Sequence, residues 1–131
     1  MSTNWPSHGR LISRFNSLGP YLRKPLSSEK EYFFDCLSEC ANTRLEPEKR
    51  EFYGWWLKLN VTEQGCFEYQ YWYGFFDQQG NWSEQDIPEQ YDESVKKTLL
   101  DFYAKLAQET QELEIELLPS PSLDISQVLA A

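Results

Sequence analysis

The chain has 131 residues, of which 16% are aromatic and 25% are charged. This length and composition fit one soluble domain over residues 1–131. Poor order is expected only at its ends, about 1–8 and 119–131. Its formal net charge at pH 7 is −9. Affinity for nucleic acid rises with the number of phosphates that Lys and Arg neutralise, so this acidic balance argues against nucleic acid as the main ligand.

The first predicted element is a short N-terminal helix. Leu11, Phe15 and Leu18 follow one another at helical spacing, and Gly19-Pro20 supplies a residue suited to a helix end and then a helix breaker. The helix is therefore expected within residues 8–18. Residues 20–30 contain two prolines and two adjacent serines, which indicates an irregular connection to the next element.

Four strands are predicted next, from runs in which the side chains of one parity are mostly apolar. They cover residues 31–41, 52–61 and 67–76, and a short fourth strand begins at Trp82. Turns at 62–65 and 78–81 separate the last three strands, and 42–51 is a charged connection that is expected to be mobile. The second and third strands should form an antiparallel hairpin.

A long C-terminal helix follows, for which Asp92 is a candidate N-cap. Its apolar stripe consists of Val95, Leu99, Phe102, Leu106 and Leu113. Beyond the stripe, Leu113, Ile115 and Leu117 alternate with glutamates, which predicts an edge strand, and Pro119 begins a tail with little to bury. The expected fold class is therefore α+β: an antiparallel sheet of about four strands with a short N-terminal helix and a long C-terminal helix packed on it.

Aromatic side chains are unusually dense in the middle of the chain. They are Phe52, Tyr53, Trp55, Trp56, Phe67, Tyr69, Tyr71, Trp72, Tyr73, Phe75, Phe76 and Trp82. Alternation with a period of two sends these rings to both faces of the sheet, so some should line a pocket or a docking surface if helices cover one face only. If helices cover both faces, every ring belongs to the core. The pattern alone leaves both interpretations open.

Residues that could carry catalysis or hold a metal are scarce. His8 is the only histidine, and no nucleophile elbow or phosphate-binding glycine loop occurs, so the chain is not expected to be an enzyme. Cys36, Cys40 and Cys66 are expected to be free thiols rather than metal ligands, and no cofactor is expected. The lack of a signal peptide and of an apolar run of about 18 residues predicts a cytoplasmic protein without a membrane partner.

Two further ligand classes fit the aromatic strands less well. Aromatic sheets bind single-stranded RNA by stacking, and Tyr73-Gly74-Phe75-Phe76 is similar to the glycine-aromatic pattern of RNA-binding strands, but the flanking basic residues are missing. An aromatic pocket with an acidic rim could instead hold a cationic small molecule through cation–π contacts. Both functions remain as alternatives.

Several segments together resemble the Crl family. These segments are residues 10–15, 18–21, 33–37, 50–56, 73–77 and 80–82, together with the helix from Thr98 to Leu106. The match is collinear over roughly residues 10–110, and its most distinctive part is the Gly54-Trp55-Trp56 segment after Arg50-Glu51-Phe52. Tyr53 departs from the commoner pattern, which has tryptophan at that position.

The resemblance implies a non-enzymatic activator of a sigma factor, built on an antiparallel sheet flanked by helices. Proteins of this family bind the second domain of the general-stress sigma factor, sigma-S, and promote its assembly with core RNA polymerase, so that stress-regulon genes are transcribed. Direct sequence-specific recognition of DNA is not implied, and a monomer is expected.

The resemblance also implies a set of sigma-binding residues: Tyr21, Asp35, Arg50, Phe52, Trp55 and, as a weaker match, Trp82. Arg50 can form a bidentate pair with a partner carboxylate, and Phe52 and Trp55 offer rigid apolar anchors. Strict alternation places Phe52 and Trp55 on opposite faces of their strand. Either a bulge at Gly54 realigns them, or Trp55 supports the site from the core.

Overall fold

The computed structural model describes residues 5–41 and 44–130. The helices are α1 (His8–Asn16) and α2 (Glu89–Glu112), and the strands are β1 (Glu31–Cys40), β2 (Phe52–Val61), β3 (Phe67–Phe76), β4 (Trp82–Glu84) and β5 (Leu117–Pro119). The five strands form one sheet in the order β1-β2-β3-β4, and β5 also pairs with β3. The predicted α+β class, with its short first helix and long last helix, is confirmed.

The central hairpin of β2 and β3 matches its predicted limits. Its register is continuous, from Phe52 opposite Phe76 to Val61 opposite Phe67. At the turn, Gly65 has a φ of 79°, a left-handed conformation that favours glycine, and the amide of Cys66 donates to the Thr62 hydroxyl. Because this register has no irregularity, residues of one parity share one face along the whole hairpin.

The two helices pack on the same face of the sheet. This face contributes Tyr32, Phe34, Trp55, Leu57, Leu59, Phe67 and Tyr69, all of them buried, and the helices contribute Leu11, Phe15, Val95, Leu99, Phe102 and Leu106. An ion pair between Arg14 and Glu109 also joins α1 to α2. These contacts make the helix-covered face the hydrophobic core of the protein.

The long helix begins earlier than its sequence predicts. Pro88 occupies the N-cap position with an extended backbone, and no side chain caps the helix. Asp92 lies inside the first turn, where a negative charge is favourable, and forms an ion pair of 3.0 Å with Lys96. The prediction that Asp92 caps the helix is therefore wrong, because Pro88 already supplies the fixed backbone angle from which the helix starts.

The C-terminal edge strand exists, but it begins at Leu117 and runs parallel to β3 rather than antiparallel. The helix continues through Glu112, and Glu114, with a φ of 60°, then redirects the chain. The alternation beginning at Leu113 therefore marks the strand four residues too early. A one-residue reversal of this kind leaves no periodic trace in the sequence.

The segment after β5 buries more than expected. Leu123 and Leu129 pack against the core, so the expectation of a tail with little to bury is wrong for these two residues. The hydroxyl of Tyr71 donates to the carbonyl of Gln127 at 2.7 Å, and the amide of Leu129 donates to the hydroxyl of Tyr69 at 2.7 Å. The sequence predicts poor order for the ends of the chain and mobility for residues 42–51. Parts of these segments, residues 1–4, 42–43 and 131, lie outside the described residues.

Candidate protein-binding face

The sheet face opposite the helices carries a row of aromatic rings, here called the aromatic row: Trp72, Trp56, Trp82 and Phe76. Trp72 stacks on Trp56 with ring centroids 5.6 Å apart, Trp56 lies 5.0 Å from Trp82, and Trp82 lies 5.2 Å from Phe76. All four rings are half-buried, and they contact one another while the helices cover the other face. The interpretation with one open aromatic face is therefore the one that the described residues support.

Two glycines directly opposite each other allow the row to lie close to the sheet. Gly54 pairs with Gly74, between the pair Trp56 and Trp72 and the pair Phe52 and Phe76. A Cβ atom at Gly74 would lie 2.9 Å from a ring carbon of Trp56 and 2.1 Å from the carbonyl oxygen of Ser83. The absence of a side chain at Gly74 is therefore what lets Trp56 and β4 approach the strand.

Asp35 is the polar anchor of this face. Asp35 is 4% exposed, and its two carboxylate oxygens accept hydrogen bonds from the indole of Trp82 at 2.9 Å and from the guanidinium of Arg23 at 2.5 Å. A buried carboxylate is tolerated when it is paired and hydrogen-bonded in this way. Asp35 therefore fixes the position of the Trp82 ring and connects it to the segment that precedes β1.

Asp35→Ala is expected to lower the free energy of unfolding by about 1–3 kcal/mol, because it leaves the partly buried indole N–H of Trp82 without its acceptor. Urea denaturation followed by circular dichroism measures this loss. The matched control is Asp101→Ala, because Asp101 is exposed and its one ion pair among the described residues is with Lys97 on the surface of α2. Equal stability losses in the two variants would contradict an anchoring role for Asp35.

Arg50 and Phe52 lie at the start of β2. Arg50 follows the short helical turn Pro47–Lys49, and its Nε donates to the carbonyl of Leu45 at 3.1 Å. Among the described residues no ion pair joins Arg50 to Glu48. Phe52 is half-buried on the open face, opposite Phe76 of the aromatic row and Cys40 of β1.

Trp55 lies on the other face of the sheet, inside the core. Its side chain is 0% exposed, and its indole N–H donates to the hydroxyl of Thr98 in α2 at 3.0 Å. Its ring lies 5.2 Å from Phe102 and 5.8 Å from Tyr21. In this conformation Trp55 cannot touch a partner, so it can act only as a support beneath the open face.

Tyr21 belongs to the helix side of the molecule together with Trp55. Its ring also contacts Phe102 at 5.0 Å, and its carbonyl accepts a hydrogen bond from the amide of Asp35 at 3.0 Å. Burial raises the pKa of the Tyr21 hydroxyl, and it also raises the pKa of the neighbouring Cys36 thiol. Both groups therefore remain neutral around pH 7, so Tyr21 supplies a neutral hydroxyl and an aromatic surface.

An irregularity does occur at Gly54, but in the strand beside it. β1 shifts register between Cys36 and Glu39, with one extra residue opposite Gly54, whereas β2 pairs with β3 without a break. Of the two predicted alternatives, the bulge within β2 is therefore wrong, and Phe52 and Trp55 remain on opposite faces. The bulge lies in β1 because Gly54, which has no side chain, allows the carbonyl of Cys36 to approach it.

The structure brings together only part of the predicted site. Asp35, Phe52 and Trp82 belong to the open face, Arg50 lies at one end of β2, and Tyr21 and Trp55 pack on the opposite side. The prediction omitted Trp56, Trp72 and Phe76, and also Lys58, whose Nζ lies 5.6 Å from the ring centroid of Trp72. Their shared parity with Phe52 in the hairpin could have indicated them.

Side chains that could ligate a metal lie apart from one another among the described residues. No group of His, Cys, Asp or Glu side chains could hold a metal ion there, and the three cysteines are free. None of the helices in residues 5–41 and 44–130 is long and apolar enough to cross a membrane.

Comparison with known proteins connects this fold to a class of regulators. A family model described as "Sigma factor-binding transcriptional regulator Crl" matches residues 1–127. A protein named sigma factor-binding protein Crl from Photobacterium profundum is 47% identical over 123 residues, which cover 93% of this chain and 92% of that protein. Proteins of the same name from Vibrio vulnificus and Vibrio cholerae are 46% and 41% identical, each over 84% of both chains.

The class of protein defined by this match is a sigma factor-binding transcriptional regulator with an α+β fold. The chain belongs to the Crl family. The resemblance found in the sequence is thereby confirmed.

Proposed function

We propose that this protein binds the general-stress sigma factor, sigma-S, through the second domain of that factor and promotes its assembly with core RNA polymerase. The observation that carries the proposal is the half-buried aromatic row on an open sheet face, in a chain that belongs to the Crl family. Transcription from stress-regulon promoters is the expected consequence. This role requires a cytoplasmic protein and no catalysis.

The chemistry of the open face suits a docking surface for another polypeptide. Aromatic residues and arginine are enriched among the residues that dominate protein interfaces, because they bury a large area at a small cost in side-chain entropy. The mutual contacts of Trp56, Trp72 and Trp82 hold their rings in place before a partner arrives. Such preorganisation reduces the entropy lost on binding.

Within this proposal the predicted residues have two different roles. Phe52 and Trp82 contact the sigma factor, Arg50 pairs with one of its carboxylates, and Asp35 acts as a positioning residue for Trp82. Tyr21 and Trp55 support the sheet from the helix side. Activation then follows from coupling: each tenfold gain in the affinity of sigma for core polymerase corresponds to about 1.4 kcal/mol.

The alternative ligands receive less support from this surface. Lys58 already lies over the ring of Trp72, so the aromatic row contacts a cation of its own chain. The net charge of −9 opposes binding of RNA. We therefore keep single-stranded RNA and cationic small molecules only as outcomes of the binding experiment.

Arg50→Glu is expected to weaken binding to sigma-S by at least about 100-fold, because it replaces an attractive charge pair at the interface by a repulsive one. Titration calorimetry with purified sigma-S measures the affinity, and the housekeeping sigma factor tests the selectivity. The thermal stability should hardly change, because the only hydrogen bond of the Arg50 side chain among the described residues is the one to Leu45.

Arg10→Glu is the matched control for this experiment, since it makes the same change of charge at an exposed position of α1. Equal binding by the Arg50 variant and the unchanged protein would refute the role of Arg50. Failure of the unchanged protein to bind sigma-S, together with quenching of tryptophan fluorescence by RNA or by a quaternary ammonium compound, would refute the proposed function itself.

A further inference from the structure

The outer edge of β3 is paired at its two ends and open in the middle. β5 pairs with Phe67 to Tyr69, and β4 pairs with Gly74 to Phe76. Residues 70–73 therefore have no strand partner on this edge within the part of the chain that the structure describes. The gap leaves a short piece of sheet edge without a strand partner, of the kind to which an extended polypeptide can add as a further strand.

The direction of the backbone groups in the gap follows from their neighbours. The carbonyls of Tyr69 and Tyr73 both accept hydrogen bonds on the outer edge, from Ser120 and Gln85. Backbone groups along a strand alternate between its two edges, so the N–H and C=O of Tyr71 also point outward. No backbone hydrogen bond reaches either group of Tyr71 from the residues described beside it.

A cavity of about 650 Å³ opens beside this gap. The residues that line it include Tyr71, Trp72 and Tyr73 of β3 together with Glu84 and Asp86. Burial raises the pKa of both tyrosines, so the walls are neutral.

The charge of the cavity is negative. Asp92 is neutralised by Lys96 at 3.0 Å, whereas neither Glu84 nor Asp86 forms an ion pair with a described residue. Both of these acidic residues are exposed. The cavity lining therefore combines neutral tyrosine side chains with two carboxylates that have no ion-pair partner among the described residues.

We propose that the gap in the edge of β3 binds an extended, lysine- or arginine-containing segment of a partner protein by strand addition. The backbone of Tyr71 would exchange hydrogen bonds with the segment, and Glu84 and Asp86 would attract its basic side chains. A four-residue gap accommodates roughly 13 Å of extended chain, enough for three or four residues of the partner.

A second copy of this chain is a poor occupant for the gap. The net charge of −9 would bring like charges together, and the gap itself is flanked by Glu84 at the end of β4 and by Asp86 just after it. The proposal does not rest on the binding of a sigma factor, and its test uses none. Failure of one proposal therefore leaves the other standing.

The test uses a fluorescein-labelled, amidated pentapeptide of the sequence threonine-lysine-valine-lysine-threonine. Fluorescence anisotropy should show binding that is at least about tenfold tighter than that of the same peptide with glutamate in place of lysine. The double variant Glu84→Lys/Asp86→Lys should lose a similar factor. Hydrogen exchange followed by NMR should show slower exchange of the Tyr71 amide in the presence of the lysine peptide.

The matched control is the double variant Glu63→Lys/Glu116→Lys, which makes the same change of charge at two exposed positions beyond the other end of the gap and should bind like the unchanged protein. Slower exchange at Tyr71 together with loss of binding only in the Glu84/Asp86 variant supports strand addition. Binding without any effect at Tyr71 would show adhesion by charge alone and would overturn the proposal. If protection of the Tyr71 amide rises with protein concentration in the absence of peptide, the occupant is a second copy of the chain. This result would also overturn the proposal.

Discussion

Trp55→Ala is expected to lower the free energy of unfolding by about 3–5 kcal/mol, as is typical when a large aromatic side chain is removed from a core. Trp55 is 0% exposed, and its ring contacts Tyr21 and Phe102. The substitution would also leave the Thr98 hydroxyl without the indole donor. Urea denaturation monitored by circular dichroism measures the change. A loss of this size is expected to leave part of the variant protein unfolded at room temperature.

The milder variant Trp55→Phe separates support from contact. It keeps an aromatic ring beside Phe102 and removes the indole N–H, so we expect a loss of about 1–2 kcal/mol and a folded protein. If Trp55 acts only from the core, the affinity of the folded variant for sigma-S should remain within about twofold of the original. A much larger loss of affinity in a fully folded Trp55→Phe protein would mean that the residue reaches the partner after all.

Gly54→Ala is expected to destabilise the protein by about 3 kcal/mol or more, at or above the upper end of the range for overpacking. A Cβ atom at this position would lie 1.9 Å from the carbonyl oxygen of Cys36, which belongs to the backbone and cannot rotate away. The pairing of β1 with β2 would have to open at the bulge. Denaturation in urea again gives the magnitude, and loss of amide protection in β1 would locate the damage.

Gly9→Ala provides the comparison for this experiment. Gly9 lies in α1, and a Cβ atom there would meet nothing within 4 Å. Alanine favours a helix interior over glycine by about 0.5–1 kcal/mol, so this variant should be equally or slightly more stable. Equal destabilisation by the two substitutions would contradict the idea that close approach of β1 is what requires Gly54.

The sequence predicts the central hairpin well because its signal is local and regular. Alternation in residues 52–61 and 67–76 gives the limits of β2 and β3 without error, and Gly65 marks their turn. The bulge of β1 and the parallel strand β5 are different. They depend on a glycine in the adjacent strand and on a reversal at Glu114, which an analysis of single segments does not connect.

The site could be predicted only in part for a similar reason. The resemblance identifies Asp35 and Trp82, but the hydrogen bond between them joins residues 47 positions apart, and no periodic pattern contains it. Parity alone would have placed Trp56 and Trp72 on the same face of the sheet as Phe52, because even-numbered residues share one face throughout this regular hairpin. The resemblance and the alternation therefore each identify a different part of the open face.

The hydrogen bond from Trp82 to Asp35 joins strands at opposite ends of the four-strand order, because β1 and β4 are separated by β2 and β3. A three-residue margin such as β4 would ordinarily fray independently of the far margin. Here the Trp82 side chain is held by Asp35, so β4 cannot separate from the sheet without also breaking a contact with β1.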